Sequence, residues 1–185
     1  MRVASALFVM FLGACRPAIT GLPPREDVLA GLVVAPENRC ASYDRGTYEP
    51  FRSGIEEEIV ESIGGRIYGP YTGRYFTSTR ETDREHIVAV SEAHDSGACD
   101  WGRDRRNRFF NDLENLTLAA PDINRHRKGS KDVAEWMPEF NRCWFAARVV
   151  TIKRAWGLTV DRAEADTLAT VVAGCDSTDM VFTSG

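Results

Sequence analysis

In the stretch SGIEEEIVESIGG, residues 53–65, Ile55, Ile59 and Ile63 recur at helical spacing, with Ser53 and Glu56 at the start and Gly64-Gly65 at the end. A serine followed three positions later by a glutamate is a capping box, so this pattern predicts a short helix with one apolar stripe. Two longer amphipathic runs follow near the C-terminus. NRCWFAARVVTIKRAWG places Phe145, Val149, Ile152 and Trp156 on one stripe and stops at Gly157, while DRAEADTLATVVAGC opens on Asp161 and Glu164 and stops at Gly174. Together they predict a helical hairpin whose aromatic stripe is core packing rather than a base-stacking platform. Other segments are patterned for extended chain. RIYGPYTGRYF predicts two short strands around a Gly-Pro turn, and the β-branched composition of 82–90 and 116–120 predicts two more. Between those two strands lies a polar stretch, 91–115, expected to be a long loop of the kind usually kept for function. From Pro121 the pattern turns helical over 122–129 and breaks at Gly129. No internal repeat interrupts this order, and it defines an α+β chain with one core.

The N-terminus has a different character. MRVASALFVMFLGA carries one early cation, Arg2, then an uncharged apolar run too short to span a bilayer, the pattern of an export signal. Leu12-Gly13-Ala14-Cys15 is also similar to a bacterial lipobox, which makes lipidation at Cys15 the alternative to ordinary cleavage and the only membrane attachment expected. We therefore expect a leader over 1–20, a linker or extension over 21–50 and the folded domain over 51–185. Export changes the reading of the cysteines. Without Cys15 four remain, Cys40, Cys99, Cys143 and Cys175, with no C-x-x-C pair to suggest structural zinc. Four cysteines permit three pairings. The preferred one joins Cys143 to Cys175 across the helical hairpin and Cys40 to Cys99 between the N-terminal segment and the polar stretch.

Formal net charge is −4, which argues against non-specific coating of nucleic acid by the whole surface. The distribution is uneven, because residues 101–131 carry eight cations against four acids. Just before this basic run stands TDREHIVAVSEAHDSG, residues 82–97, which holds His86 and His94, two of the three histidines. His86 follows Asp83 and Glu85 and opens a greasy run, an odd place for an imidazole unless it has chemistry to do. The stretch continues to DLENL, with Asn115, and INRHRK, with Asn124, followed by AEWMP at 134–138. Asn115 and Asn124 are nine residues apart.

These motifs resemble the His-Me finger, or HNH, endonucleases, and more closely the secreted members related to the C-terminal domain of GmrSD-type restriction enzymes; the likeness covers about 66–175. It implies a ββα-metal finger with additional helices, stapled by disulfides. Phosphodiester hydrolysis explains the residue types. A water must give up a proton to a base titrating near neutrality, which suits imidazole, and the charge gathering on phosphate and leaving oxygen suits a hard divalent ion that keeps most of its waters. The resemblance assigns His86 as general base, Glu85 and Asn124 as metal ligands with Asp83 as a further ligand or an acceptor behind them, and Asn115 as the tie that positions the histidine. It implies one Mg²⁺, with Mn²⁺ or Ca²⁺ as alternatives, and 5′-phosphate products. An ideal pleat would put Glu85 and His86 on opposite faces, so the strand is expected to twist, bulge or end there. Arg105, Arg106, Arg125, His126 and Lys128 are the candidate phosphate contacts, and His94 is expected at the surface or near substrate. The reading is an exported, monomeric endonuclease acting on DNA, with RNA as a further candidate and with little sequence preference. The competing readings are a non-catalytic nucleic-acid-binding or uptake protein and a zinc hydrolase of cell-wall material, the latter disfavoured by the lack of clustered ligands.

Overall fold

The structure is a computed structural model that describes residues 28–184; the expected leader and Cys15 lie outside the described residues. In chain order it contains β1 (Val33–Val34), α1 (Ile55–Ser62), β2 (Tyr68–Gly69), β3 (Arg74–Tyr75), β4 (Asp83–His86), α2 (Val90–Asp95), α3 (Arg103–Phe110), β5 (Leu116–Ala119), a π-helical turn (Ile123–Lys128), α4 (Arg142–Trp156), β6 (Thr159–Val160) and α5 (Arg162–Ala173), with short 3-10 turns between them. The class is α+β. The strands form three separate two-stranded sheets: β2 with β3 and β4 with β5 are antiparallel, and β1 pairs in parallel with β6.

The isoleucine stripe of α1 behaves as its spacing predicts. Ile55, Ile59 and Ile63 are buried against Tyr68, Leu116 and Leu118, so the helix lies on the hairpin that carries the candidate site. Its start differs from the expected capping box. Gly54, at φ 78°, takes the N-cap position and no side chain caps the helix; Glu56, Glu57 and Glu58 in the first turn complement the dipole instead. The helical hairpin forms over α4 and α5. Asp161 accepts from the Glu164 amide as a cap should, but the Glu164 side chain turns inward to Lys153 instead of back to the cap. Disulfides join Cys143 to Cys175 across this hairpin and Cys40 to Cys99.

Two expectations need correction. The strand read over 82–90 pairs only to His86, and the stretch 91–115 is not a loop: α2, a 3-10 turn at Ala98–Asp100, α3 and another 3-10 turn at Leu113–Asn115 fill it. Of the alternatives given for 21–50, the described part has the character of an extension packed on the fold. Val28 and Tyr48 are buried, and β1 is hydrogen-bonded to β6. Among the described residues no helix is long and apolar enough to cross a membrane.

Candidate active site

The site begins where β4 leaves its sheet. His86 faces Leu116 as the last paired residue, and Ile87 still donates to the Asn115 carbonyl at 2.9 Å. The buried Asn115 amide then takes over, its Oδ1 accepting from Val88 N at 2.8 Å and its Nδ2 donating to Val88 O at 3.2 Å. A side-chain amide thus replaces the next rung of the ladder and turns the chain into α2. Glu85 and His86, although successive residues at the end of the paired strand, line one cleft of about 480 Å³, together with Asn124, Arg125, Gly129 and Ser130 from the π-helical turn and its end. Gly129, at φ 57°, allows the reversal that closes the turn.

His86 is only 5% exposed and is held between two phenyl rings, Phe51 stacked at 5.5 Å and Phe110 at 4.6 Å. Its Nε2 lies 2.9 Å from the Phe110 carbonyl. A carbonyl can only accept, so Nε2 carries the proton and the lone pair belongs to Nδ1. Nδ1 has no protein partner among the described residues, and it is not sealed from solvent. Burial lowers the pKa of His86 to about 3, with Arg45 and Lys128 pushing the same way and the Phe110 hydrogen bond opposing. The neutral base is therefore the resting form. An anion entering the cleft would raise this value again.

Beneath the histidine lies a buried ion pair. Lys128 Nζ is 2.7 Å from Glu85 Oε1 and donates to the His86 carbonyl at 2.9 Å, and its side chain is 0% exposed. Among the described residues Oε1 has this ammonium as its charge partner and no other donor. Thr117, opposite Glu85 across the hairpin, has a buried hydroxyl without a partner. Burial raises the Glu85 pKa, against the pull of Lys128. Asp83 is engaged elsewhere. It accepts from Arg125 Nε at 2.8 Å and Nη2 at 2.6 Å and from Asn124 Nδ2 at 3.0 Å, and the Arg125 guanidinium holds its pKa below the usual carboxylate range. With Nδ2 fixed in this way, Asn124 has its amide oxygen free of donors among the described residues. Asp83 does not line the cleft, so it supports Asn124 from behind.

The expected phosphate contacts divide. Arg125 lines the cleft, although bound to Asp83. Lys128 is buried and reaches no solvent, because its ammonium is committed to Glu85 and the His86 carbonyl. Arg106 is a structural clamp, bonded to the Ala98 and Cys99 carbonyls and to Thr47 Oγ1. Arg105 lies away from the cleft, over the Trp101 ring with Nη2 on the Trp156 carbonyl. His126 is exposed outside the cleft lining. His94 is neither at the surface nor at the site: it is fully buried between the Ala41 carbonyl and the Tyr48 hydroxyl, each at 2.8 Å. The sequence reading missed the cationic rim of the cleft, Arg45 and Arg84, together with Tyr43. Arg84 packs 4.4 Å above Phe51 and Arg45 5.4 Å above Phe110, so each arginine sits over a ring that packs on His86. Arg84 was in plain view within DREH, but nothing local marks Tyr43 or Arg45.

The cleft therefore brings together an imidazole with a free lone pair, an amide oxygen and a cationic rim. The chain matches the family described as GmrSD restriction endonucleases, C-terminal domain, over residues 48–171, and it belongs to that family, whose HNH-like character points to nuclease-type activity. A similar protein is an "uncharacterized secreted protein" of Arthroderma benhamiae, 26% identical over 199 residues, which cover 95% of this chain and 98% of that one. No solved structure matches.

Proposed function

We propose that the protein is an exported, metal-dependent endonuclease that hydrolyses phosphodiester bonds, and that β4, β5 and the π-helical turn are its ββα-metal finger. The observation that carries this reading is the pairing, in one cleft, of the free His86 Nδ1 with the unengaged amide oxygen of Asn124. Export is supported by the two disulfides and by the secreted relative.

His86 Nδ1 accepts the proton of the attacking water while the Phe110 carbonyl keeps the ring oriented and fixes its tautomer. Asn115 holds Val88, and through it the end of β4, so the imidazole cannot drift. Arg84 and Arg45 draw the phosphodiester to the rim. The donor set suits a hard divalent ion such as Mg²⁺, which needs only one or two protein oxygens: Asn124 through its amide oxygen and Glu85 through the carboxylate oxygen not paired with Lys128. When bound, the ion supplies electrostatic stabilisation of the charge that builds on the phosphate and the leaving oxygen.

Incubation of the purified chain with plasmid DNA and with RNA, in Mg²⁺ and then in EDTA, tests the reading. The expected result is nicking and fragmentation that EDTA abolishes. Binding without any metal-dependent product would instead favour a non-catalytic nucleic-acid-binding protein.

A further inference from the structure

The parallel pairing of β1 with β6 brings together two acidic positions that lie far apart in the chain. Ala35 N donates to the Val160 carbonyl at 2.9 Å, Glu37 follows two residues later, and Asp161 directly follows β6. Asp132, from the segment after the π-helical turn, completes the group: one carboxylate oxygen from each of Glu37, Asp132 and Asp161 lies within 4.8 Å of the other two. Asp161 Oδ1 accepts from the Glu164 amide at 2.7 Å, and Asp132 Oδ1 accepts from the Ala134 and Glu135 amides, each at 2.8 Å. Among the described residues no lysine or arginine pairs with any of the three.

Acidic groups at a surface are commonly just solvated, but this one is buried on one side. Asp132 is only 7% exposed, and with Oδ1 on the two amides its Oδ2 has no donor among the described residues. Together with Glu92, Lys153 and Glu164 it also lines a cavity of about 10 Å³, room for a single water or ion. Glu164 is almost fully buried, and its Oε1 is sealed from solvent without a hydrogen-bond partner. The cations at this cavity are committed: Lys153 to Glu92 and Glu164, and Lys131 to the Arg127 carbonyl. Negative charge is therefore in excess. Burial, followed by the fields of Glu92, Asp95, Asp161 and Asp132, raises the Glu37 pKa; burial also raises that of Asp132, with Glu92 adding to it against the Glu135 and Ala134 amides. A hard cation with oxygen ligands meets this deficit. Calcium takes several oxygens at roughly 2.3–2.6 Å in flexible geometry, so two such bonds can bridge the distance between the ligand atoms, and the exposed Glu37 leaves room for water to complete the shell. A donor set without sulfur or nitrogen disfavours zinc.

We propose that Glu37, Asp132 and Asp161 hold a calcium ion outside the cleft, which fastens the N-terminal arm to the start of α5. The arm carries Tyr43 and Arg45 to the cleft wall, so the ion steadies that wall without touching substrate. This is independent of the hydrolase reading, and binding and stability test it rather than cleavage. The probe is calcium chloride added to the metal-free full chain carrying Asn124→Ala, which lacks the amide oxygen proposed as a ligand in the cleft. Equilibrium dialysis should give a Kd no weaker than about 10⁻³ M, as in extracellular calcium modules, and calcium at about ten times Kd should raise the melting midpoint by about 3–6 °C. Asp132→Asn and Glu37→Gln each remove a charge and keep an amide oxygen in its place, and each should weaken calcium binding at least about tenfold. Asp161→Asn, which keeps a good helix cap, should do the same. No saturable calcium binding below about 10 mM would overturn the proposal. So would unchanged affinity in a folded Glu37→Gln chain, a change at an exposed position that keeps the test open if Asp132→Asn disturbs the packing. A calcium response that survives Glu37→Gln and Asp132→Asn but disappears with Glu85→Gln belongs to the cleft and overturns it as well.

Discussion

Lys128 and Lys153 are both fully buried beside glutamate, and the two lysines do opposite work. Lys153 sits at the junction of α2, α4 and α5 with four partners: Glu92 Oε1 at 2.7 Å, Glu164 Oε2 at 2.5 Å, Ser96 Oγ at 3.2 Å and the Thr159 carbonyl at 3.1 Å. Burial pushes its pKa down, but the two carboxylates outweigh that and raise it. Two carboxylates facing one ammonium leave a negative charge uncompensated, and burial accordingly raises Glu164 to about 8. Lys128 has one carboxylate and one carbonyl, and it sits directly beneath a cleft. The number of partners separates them: a saturated lysine welds helices together, while an undersaturated one shapes the floor of a reaction site. Removing one partner of a buried pair exposes this difference, because the other charge is left without compensation.

The largest expected effect bypasses both lysines. His86→Ala should lower the rate of phosphodiester cleavage by about 10² to 10⁴, far beyond what its stability loss of about 1–3 kcal/mol from the vacated ring space and the orphaned Phe110 carbonyl can explain in a chain that stays folded; near-parental turnover would reduce this imidazole to a core residue. Next comes Lys153→Met, which strands Glu92 and Glu164 and should cost about 3–5 kcal/mol of stability, read from denaturant melts. Lys128→Met should reverse the balance. Turnover should drop by about 10- to 100-fold through the loosened Glu85 and His86 carbonyl, with a smaller loss of stability than at Lys153. If the two methionine variants lose stability equally and Lys128→Met keeps full activity, the proposed division of labour is wrong. Asn115→Ala should cost about 1–3 kcal/mol, because the amide and carbonyl of Val88 lose their partners. The last effect is a slope with pH. Since Glu164 has a folded pKa raised from 4.5 to about 8, the native chain holds a proton that the unfolded chain has lost across that interval, so stability should fall as pH rises through it. Glu164→Gln leaves Glu92 and Lys153 balanced and should flatten the pH dependence of the melting midpoint.

What the sequence revealed follows from how local each signal is. The stripes of α1, α4 and α5 are periodic within one segment, so their helices could be read directly. The same is true of DREH and the two asparagines, whose roles depend on short, fixed spacings. Residues 91–115 gave no such signal. α3, RDRRNRFF, keeps its buried residues to Phe109 and Phe110 at one end, and α2 buries Glu92 and His94, polar groups whose partners lie 61 and 46 residues away. A charge looks solvated until its distant partner is known. Lys128, Arg106 and His94 were misplaced for that reason. The arm is the converse case, because its lack of pattern suggested a linker while the contacts that order it come from α2 and α3.

One contact at the site bears on the fate of the proton itself. Phe110 is the last residue of α3, so the carbonyl that meets His86 Nε2 stands at the negative end of a helix dipole. In the resting state this matters little, since the ring is neutral. In the proposed mechanism Nδ1 takes a proton from water and the imidazole becomes a buried cation, which the helix terminus would favour by about 0.3–1 kcal/mol. The helix that looked like a loop in the sequence thus supplies a counter-field that becomes effective only as the reaction proceeds.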